Sequence, residues 1–240
     1  EDIAVTCNVP NLACNSTNLA YRAAAMLRDT LQVKAGAAIH LHKEIPLAAG
    51  LAGGSSNAAA VLAGLNRLWQ LGLSQEELMT IGAALGSDVP FCLAGGTMRA
   101  YGRGELLERL SPLPPCYVVL AKPTVGVSTA WVYSQYRAEN VACHPDIIGM
   151  TACLAAGDYG GVAARLGNVL ESVTLPAHPE VARIKESMLA GGAAALMSGS
   201  GPTVFGLLPD GQEAVRMAGR LRAETGAEVF TVQTVAEVEW

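Results

Sequence analysis

The sequence predicts an α+β protein of two layered domains, residues 1–113 and 114–240. Three observations lead there. Short alternating apolar runs of strand length are mixed with longer runs of helical period, without the strict strand–helix–strand repeat of a parallel α/β sheet. Ser111-Pro112-Leu113-Pro114-Pro115 denies both helix and central strand, so it reads as a linker. Hydrophobic residues make up 51% of the 240, enough to build two cores without disulfides or a structural metal.

The elements follow in order. Ile3 to Cys7 alternates as a strand, and Pro10-Asn11 turns the chain. Asn15-Ser16-Thr17-Asn18 offers helix caps ahead of a helix over Leu19 to Leu31. Ala37 to Lys43 alternates again and leads into a glycine-rich loop, after which Ala58 to Trp69 reads as a helix. Ser74-Gln75-Glu76-Glu77 has the spelling of a capping box and starts a helix to about Leu85, which Gly86-Ser87-Asp88-Val89-Pro90 breaks. Gly95-Gly96-Thr97 opens a strand–turn–strand unit through Gly104. Beyond the linker, Tyr117 to Ala121 is a buried strand, and helical segments occupy the stretch from Thr129 to Ala190. A second glycine cluster, Ser198-Gly199-Ser200-Gly201-Pro202, leads into a strand over Thr203 to Leu208. A helix over Gln212 to Thr225 and a strand over Ala227 to Thr234 close the chain.

Composition narrows the function. The net charge is −5, and no block of lysine and arginine occurs, which argues against a nucleic-acid partner and against a basic membrane-binding face. Pro46 to Asn66 and Ser187 to Pro209 carry no charge, but Gly, Ser, Asn and Pro interrupt both, which fits buried turns rather than membrane spans. Glu1-Asp2-Ile3 does not begin a signal peptide. The six cysteines (7, 14, 92, 116, 143 and 153) show no C-x-x-C pair and read as buried free thiols of a reducing compartment. His40 and His42 share a strand face without a third ligand nearby, so a structural metal is not expected. A soluble protein acting on a small molecule is the expectation.

Two places carry chemistry. In Pro46-Leu47-Ala48-Ala49-Gly50-Leu51-Ala52-Gly53-Gly54-Ser55-Ser56-Asn57 the glycines allow close backbone approach, and the helix that follows presents free N–H groups and positive dipole to an anion. No lysine follows Gly53-Gly54, so this is no Walker loop, and G-x-x-G-G is no dinucleotide fingerprint. A phosphate cradle and a plain strand-to-helix turn with Ser56 as N-cap both remain open. Asp88 likewise has two readings. It is either a turn-capping aspartate or a buried carboxylate that accepts a proton from a hydroxyl nucleophile.

Three ordered segments together resemble the GHMP kinase superfamily of small-molecule kinases. They are the loop just quoted, Gly86-Ser87-Asp88-Val89-Pro90-Phe91, and Met197-Ser198-Gly199-Ser200-Gly201-Pro202-Thr203-Val204-Phe205. Within that superfamily, the Gly53-Gly54-Ser55-Ser56-Asn57 spelling, Leu65-Asn66-Arg67-Leu68-Trp69 and Thr17-Asn18-Leu19-Ala20-Tyr21-Arg22 are most similar to the branch of the non-mevalonate isoprenoid route. The resemblance implies a two-domain fold with the active site in the cleft between domains. It implies ATP-dependent phosphorylation of the 2-hydroxyl of 4-(cytidine 5'-diphospho)-2-C-methyl-D-erythritol, with Mg²⁺. Homoserine or mevalonate-type acceptors, or a non-catalytic nucleotide-binding protein, are the alternatives.

The same resemblance places residues. Pro46 to Asn57 would bind the ATP phosphates, with Ser55 or Ser56 near Mg²⁺, and Asn18 and Lys43 would lie along the adenosine. Lys43 also reads as a solvated lysine at a strand end. Asp88 matches the catalytic aspartate. Thr129 and Tyr133 match a segment at the cytidine end, although Tyr133 also reads as helix packing. Gly199 and Gly201 would approach the substrate and buttress the phosphate loop. A monomer or homodimer in a bacterial cytoplasm or a plastid stroma is implied.

Two departures qualify the match. Leu51-Ala52-Gly53-Gly54 stands where the family often has Leu-Gly-Gly-Gly, a change tolerable at negative φ. The family's opening strand, with its Lys-x-Asn catalytic element and Tyr-His pair, finds no counterpart ahead of Glu1. The chain then reads as starting inside the first domain, either as a fragment or with that segment lost, and ATP binding with poor catalysis is the expectation for the chain as given.

Overall fold

The computed structural model describes residues 2–141 and 143–238. Two compact units form, one from residues 1–46, 52–109 and 237–240, the other from 47–51 and 110–236. The short segment Leu47–Leu51, early in the chain, therefore packs with the later unit.

In the first unit, β1 (Ile3–Cys7) pairs in parallel with β2 (Ala37–Leu41), Ile3 opposite Ala37 and Cys7 opposite Leu41. A parallel pair needs a crossover, and α1 (Leu19–Thr30) supplies it. Asn18 caps α1 by accepting the Ala20 N–H at 2.9 Å. The helix buries Ala20, Ala23, Ala24 and Leu27, the i, i+3, i+4, i+7 stripe of an amphipathic helix. Against it packs α2 (Gly53–Leu68), whose small residues Ala58, Ala59 and Ala63 permit close approach. Then follow α3 (Gln75–Ala83), α4 (Val89–Ala94) and the antiparallel hairpin β3 (Met98–Tyr101) and β4 (Leu106–Arg109). The Ser74/Glu77 capping box forms as expected. Gly82 sits where α3 meets α4, and a Cβ there would come 2.8 Å from Val89 Cγ1.

The second unit is a four-stranded antiparallel sheet of order β6-β7-β5-β8, from β5 (Tyr117–Lys122), β6 (Ala194–Met197), β7 (Val204–Leu208) and β8 (Glu228–Gln233). Its helices are α5 (Thr129–Gln135), α6 (Ile147–Ala155), α7 (Tyr159–Ala163), α8 (Glu171–Ala177), α9 (Pro179–Ala190) and α10 (Gly211–Thr225). The central strand β5 buries Val119 and Ala121 against Val181, Ile184, Met188 and Leu221 of α9 and α10. Pro176 and Pro179 bracket the break between α8 and α9, where His178 leaves helical geometry.

Some boundaries differ from expectation. The strand expected to Lys43 ends at Leu41, and Gly104 lies in the β3–β4 turn. The helix after the loop begins at Gly53, five residues before Ala58, so Ser56 is inside it and Ala52 is its N-cap. The cysteines are free, yet of the six only Cys116 is buried, Cys143 is exposed and the other four are half-buried. Among the described residues no helix is long and apolar enough to cross a membrane.

Candidate active site

In the first unit the candidate residues gather at the amino end of α2. Ala52 adopts φ 51°, ψ 24°, the left-handed conformation, and no side chain caps the helix it starts. The negative φ that would make this alanine easy to accept is thus not what the backbone adopts. An uncapped start leaves the first-turn N–H groups of Gly53, Gly54 and Ser55 without the side-chain acceptor that usually satisfies one of them. Gly53 has little room for a side chain, since a Cβ would approach Ile45 Cγ2 to 2.9 Å and Lys43 Nζ to 3.2 Å. Among the described residues no hydrogen bond engages the Ser55 or Ser56 hydroxyls. Pro46 is half-buried just before the loop.

Lys43 is not a solvated strand-end lysine. Its Nζ donates to the Gly53 carbonyl at 3.0 Å and to Asn57 Oδ1 at 3.4 Å. Burial lowers its pKa, with the nearby Cys7 partly opposing the shift. Its backbone is clamped in both directions by Asn8, whose Oδ1 accepts the Lys43 N–H at 2.8 Å and whose Nδ2 donates to the Lys43 carbonyl at 3.2 Å. Asn8 was invisible to motif reading, because only the parallel pairing of β1 with β2 brings it beside residue 43. Asn18 has both ends of its amide occupied, by Ala20 N and by the Ala13 carbonyl at 2.7 Å. A cavity of about 390 Å³ between β2 and α2 reaches this cluster at Asn57.

Asp88 stands at the amino end of α4, which packs against α2. Its carboxylate is exposed rather than buried, and it makes no cap hydrogen bond. The side-chain cap expected of a turn aspartate is not made, and the burial expected of a proton-accepting carboxylate is absent as well. Four residues on, Cys92 is pushed to a pKa of about 11, mainly by burial and secondarily by the Asp88 charge, so its thiol stays protonated at neutral pH.

The second unit brings Leu47–Leu51 to the loop at 197–201. Gly50 has φ 71°, and a Cβ on it would lie 2.8 Å from both the Gly201 and Ser198 carbonyl oxygens. Ser198 Oγ donates to the Gly50 carbonyl at 2.8 Å. Ala49 is buried, while Leu47 and Ala48 are exposed, with Ala48 at φ 50°. Gly199 and Gly201 take φ 56° and 85°, and a Cβ on Gly201 would strike Met197 Sδ at 2.7 Å. Thr129, at the start of α5, shares a 2.9 Å hydrogen bond with the buried Ser200 hydroxyl. Tyr133 is 63% exposed, so it is not a helix-packing residue. Nearby, Trp131 meets His178 edge to face at 6.0 Å. Thr203 Oγ1 is buried with no hydrogen-bond partner among the described residues.

Comparison with known proteins adds identity to this geometry. Residues 18–96 match the model of the GHMP kinases N terminal domain, and residues 150–227 match that of the GHMP kinases C terminal. A 4-diphosphocytidyl-2-C-methyl-D-erythritol kinase of Geobacillus thermodenitrificans is 53% identical over 224 residues, 93% of this chain and 77% of that protein. The enzyme of the same name from Bacillus subtilis is 52% identical over 221 residues, covering 92% and 76%. A crystal structure of 4-(cytidine 5'-diphospho)-2C-methyl-D-erythritol kinase superposes with a TM-score of 0.80 at 34% identity, over 98% of this chain and 84% of that one. A homoserine kinase from Cytophaga hutchinsonii reaches the same TM-score at 19% identity, over 98% and 82%, which speaks to the fold alone.

Proposed function

The chain belongs to the GHMP kinases, ATP-dependent small-molecule kinases, and from that premise we propose that it phosphorylates the 2-hydroxyl of 4-(cytidine 5'-diphospho)-2-C-methyl-D-erythritol. The observation that carries the reading is the uncapped amino end of α2, entered through a glycine-rich loop and braced by Lys43. The family's ATP use supplies a polyphosphate, and this helix end supplies free N–H groups and positive dipole to receive it. Relatives at 52–53% identity with the same printed name supply the acceptor. A cytoplasmic location and domains spanning residues 1–113 and 114–240 are part of the same reading.

The proposed mechanism is direct in-line transfer. The acceptor's 2-hydroxyl oxygen bonds to the γ-phosphorus as the bond from that phosphorus to the ADP oxygen breaks, and the hydroxyl proton passes to Asp88. Residues 46–57 hold the phosphates, Lys43 keeps the Gly53 end of the loop in place, and Asn18 and Lys43 flank the adenosine. Thr129, Tyr133, Gly199 and Gly201 face the acceptor. The unengaged hydroxyls of Ser55 and Ser56 are hard oxygen donors that suit Mg²⁺, which when bound would neutralise phosphate charge. Catalysis of this kind is chiefly positioning and electrostatics.

ADP release from Mg-ATP, measured with and without the cytidyl acceptor, tests the proposal. Release driven by that acceptor is expected. Release driven by homoserine or mevalonate instead would reassign the acceptor. ADP binding with no acceptor-driven release would make the chain a nucleotide-binding protein.

A further inference from the structure

The segment that enters α8 carries three polar side chains, at 168, 171 and 174, that all end on the backbone around the loop at 197–201. Asn168 Nδ2 donates to the Met197 carbonyl at 2.8 Å and to the Gly199 carbonyl at 2.7 Å. Its Oδ1 accepts the Leu170 N–H at 2.9 Å, which fixes which way the amide faces. Glu171 Oε1 accepts the Met197 N–H at 2.9 Å, and its other oxygen pairs with Lys185. Thr174, fully buried, donates to the Ser200 carbonyl at 3.1 Å.

A loop with two glycines at positive φ has a wide choice of conformations and too few backbone partners of its own. External donors must therefore set its shape. Among the described residues, and apart from the strand ladder, the loop's backbone bonds are Ser198 N–H to the Thr203 carbonyl and Gly201 N–H to the Ser198 carbonyl, both 2.8 Å. The loop in turn bounds Gly50, through the Ser198 hydroxyl and through the two carbonyls that leave no room for a Cβ there.

We propose that Asn168, seconded by Thr174, is a positioning residue for the nucleotide site: it fixes the 197–201 loop, and that loop fixes Gly50 within the phosphate-binding segment. The inference rests on the nucleotide-binding part of the reading above and adds a residue that no motif pointed to. Both ends of the Asn168 amide are engaged by backbone groups. It acts through two carbonyls, so its loss leaves the chemistry's own groups in place and shifts the surface that receives the phosphates. Misplacement of a binding surface by as little as about 1 Å is enough to cost binding and rate strongly.

The test is calorimetric titration of ADP with magnesium into the full chain and into Asn168→Ala and Thr174→Val, each well below its own unfolding midpoint. The expected result is a Kd about tenfold higher or more for Asn168→Ala, and a smaller rise, a few-fold, for Thr174→Val, in line with losing one hydrogen bond. A lowered midpoint with an unchanged Kd in both variants would show that the contacts serve stability alone and would overturn the proposal. If Asn168→Ala does not fold, Thr174→Val decides by the same criterion. Wild-type chain that binds ADP without acceptor-driven turnover would sink the kinase reading while leaving this comparison valid. Wild-type chain that binds no ADP would overturn both.

Discussion

Replacing Ala52 by glycine tests the strain at the start of α2. Ala52 is held at φ 51°, ψ 24°, where the Cβ of an L-residue crowds its following carbonyl, a cost of about 1–2 kcal/mol. Glycine removes that cost but brings a freer unfolded chain, which returns about 0.5–1 kcal/mol. The half-buried methyl adds a small packing loss, so the net expectation is a gain of up to about 1 kcal/mol in favour of Ala52→Gly. For a chain of this length that corresponds to a rise of up to roughly 4 °C in the unfolding midpoint. Scanning calorimetry without ligand measures it directly. A β-branched residue at the same place, Ala52→Val, serves as the opposite control and should lower the midpoint. A fall in the midpoint for Ala52→Gly would refute the argument, because it would mean the methyl's contacts outweigh the backbone strain. Strain of this kind commonly persists beside functional groups, and here it immediately precedes the N–H groups assigned to the phosphates.

The other perturbations act on distinct parts of the molecule. Gly50→Ala combines a left-handed backbone with a Cβ set 2.8 Å from two carbonyl oxygens, and should cost roughly 2–5 kcal/mol and weaken ADP binding, read by calorimetry on the folded chain. An unchanged midpoint there would contradict the packing described for residues 47–51. Asp88→Asn should fold and bind ADP but lose turnover by about 10² or more in the coupled ADP-release assay, and near-normal turnover would remove Asp88 from its catalytic role. Ser74→Ala removes the α3 capping box and should cost about 1 kcal/mol. Glu77 is held below its usual carboxylate range by the Ser74 backbone N–H first and the Ser74 hydroxyl second. That contribution is present above the unfolded-state value and is lost as pH falls through the folded-state value. Ser74→Ala keeps the backbone N–H and loses only the hydroxyl's smaller share, so its midpoint gap to wild type should narrow slightly in acid.

Local signals were legible wherever one residue acts on its own backbone. The Asn18 cap, the Ser74/Glu77 box and the proline-rich break before β5 could all be read from spelling, since each is a contact across three or fewer residues. The helix start at Gly53 could not. Two glycines and two serines look like a turn, yet α2 absorbs them because Lys43 takes the Gly53 carbonyl and the Ser56 N–H reaches the Ala52 carbonyl at 2.9 Å. Asn8 and Asn168 escaped for a related reason. Their partners lie 35 and 29 to 31 residues away, and an isolated asparagine carries no motif.

The glycine-rich segment at 46–57 is one motif in sequence but two objects in the folded chain. Residues 47–51 take their shape from the carbonyls of 198 and 201, so a side chain at Gly50 is excluded by atoms nearly 150 residues away in the sequence. Residues 52–57 take theirs from helix hydrogen bonds and Lys43, and there a methyl is accepted at residue 52 even at positive φ. The difference explains why an alanine can stand at 52 while the same substitution at 50 should fail: strain alone is a cost of about 1–2 kcal/mol, whereas strain plus a backbone collision has no rotamer by which to relax. Residues 47–51 thus depend on the second glycine cluster, and, on the proposal above, on the polar ties from Asn168 and Thr174 that hold that cluster in place.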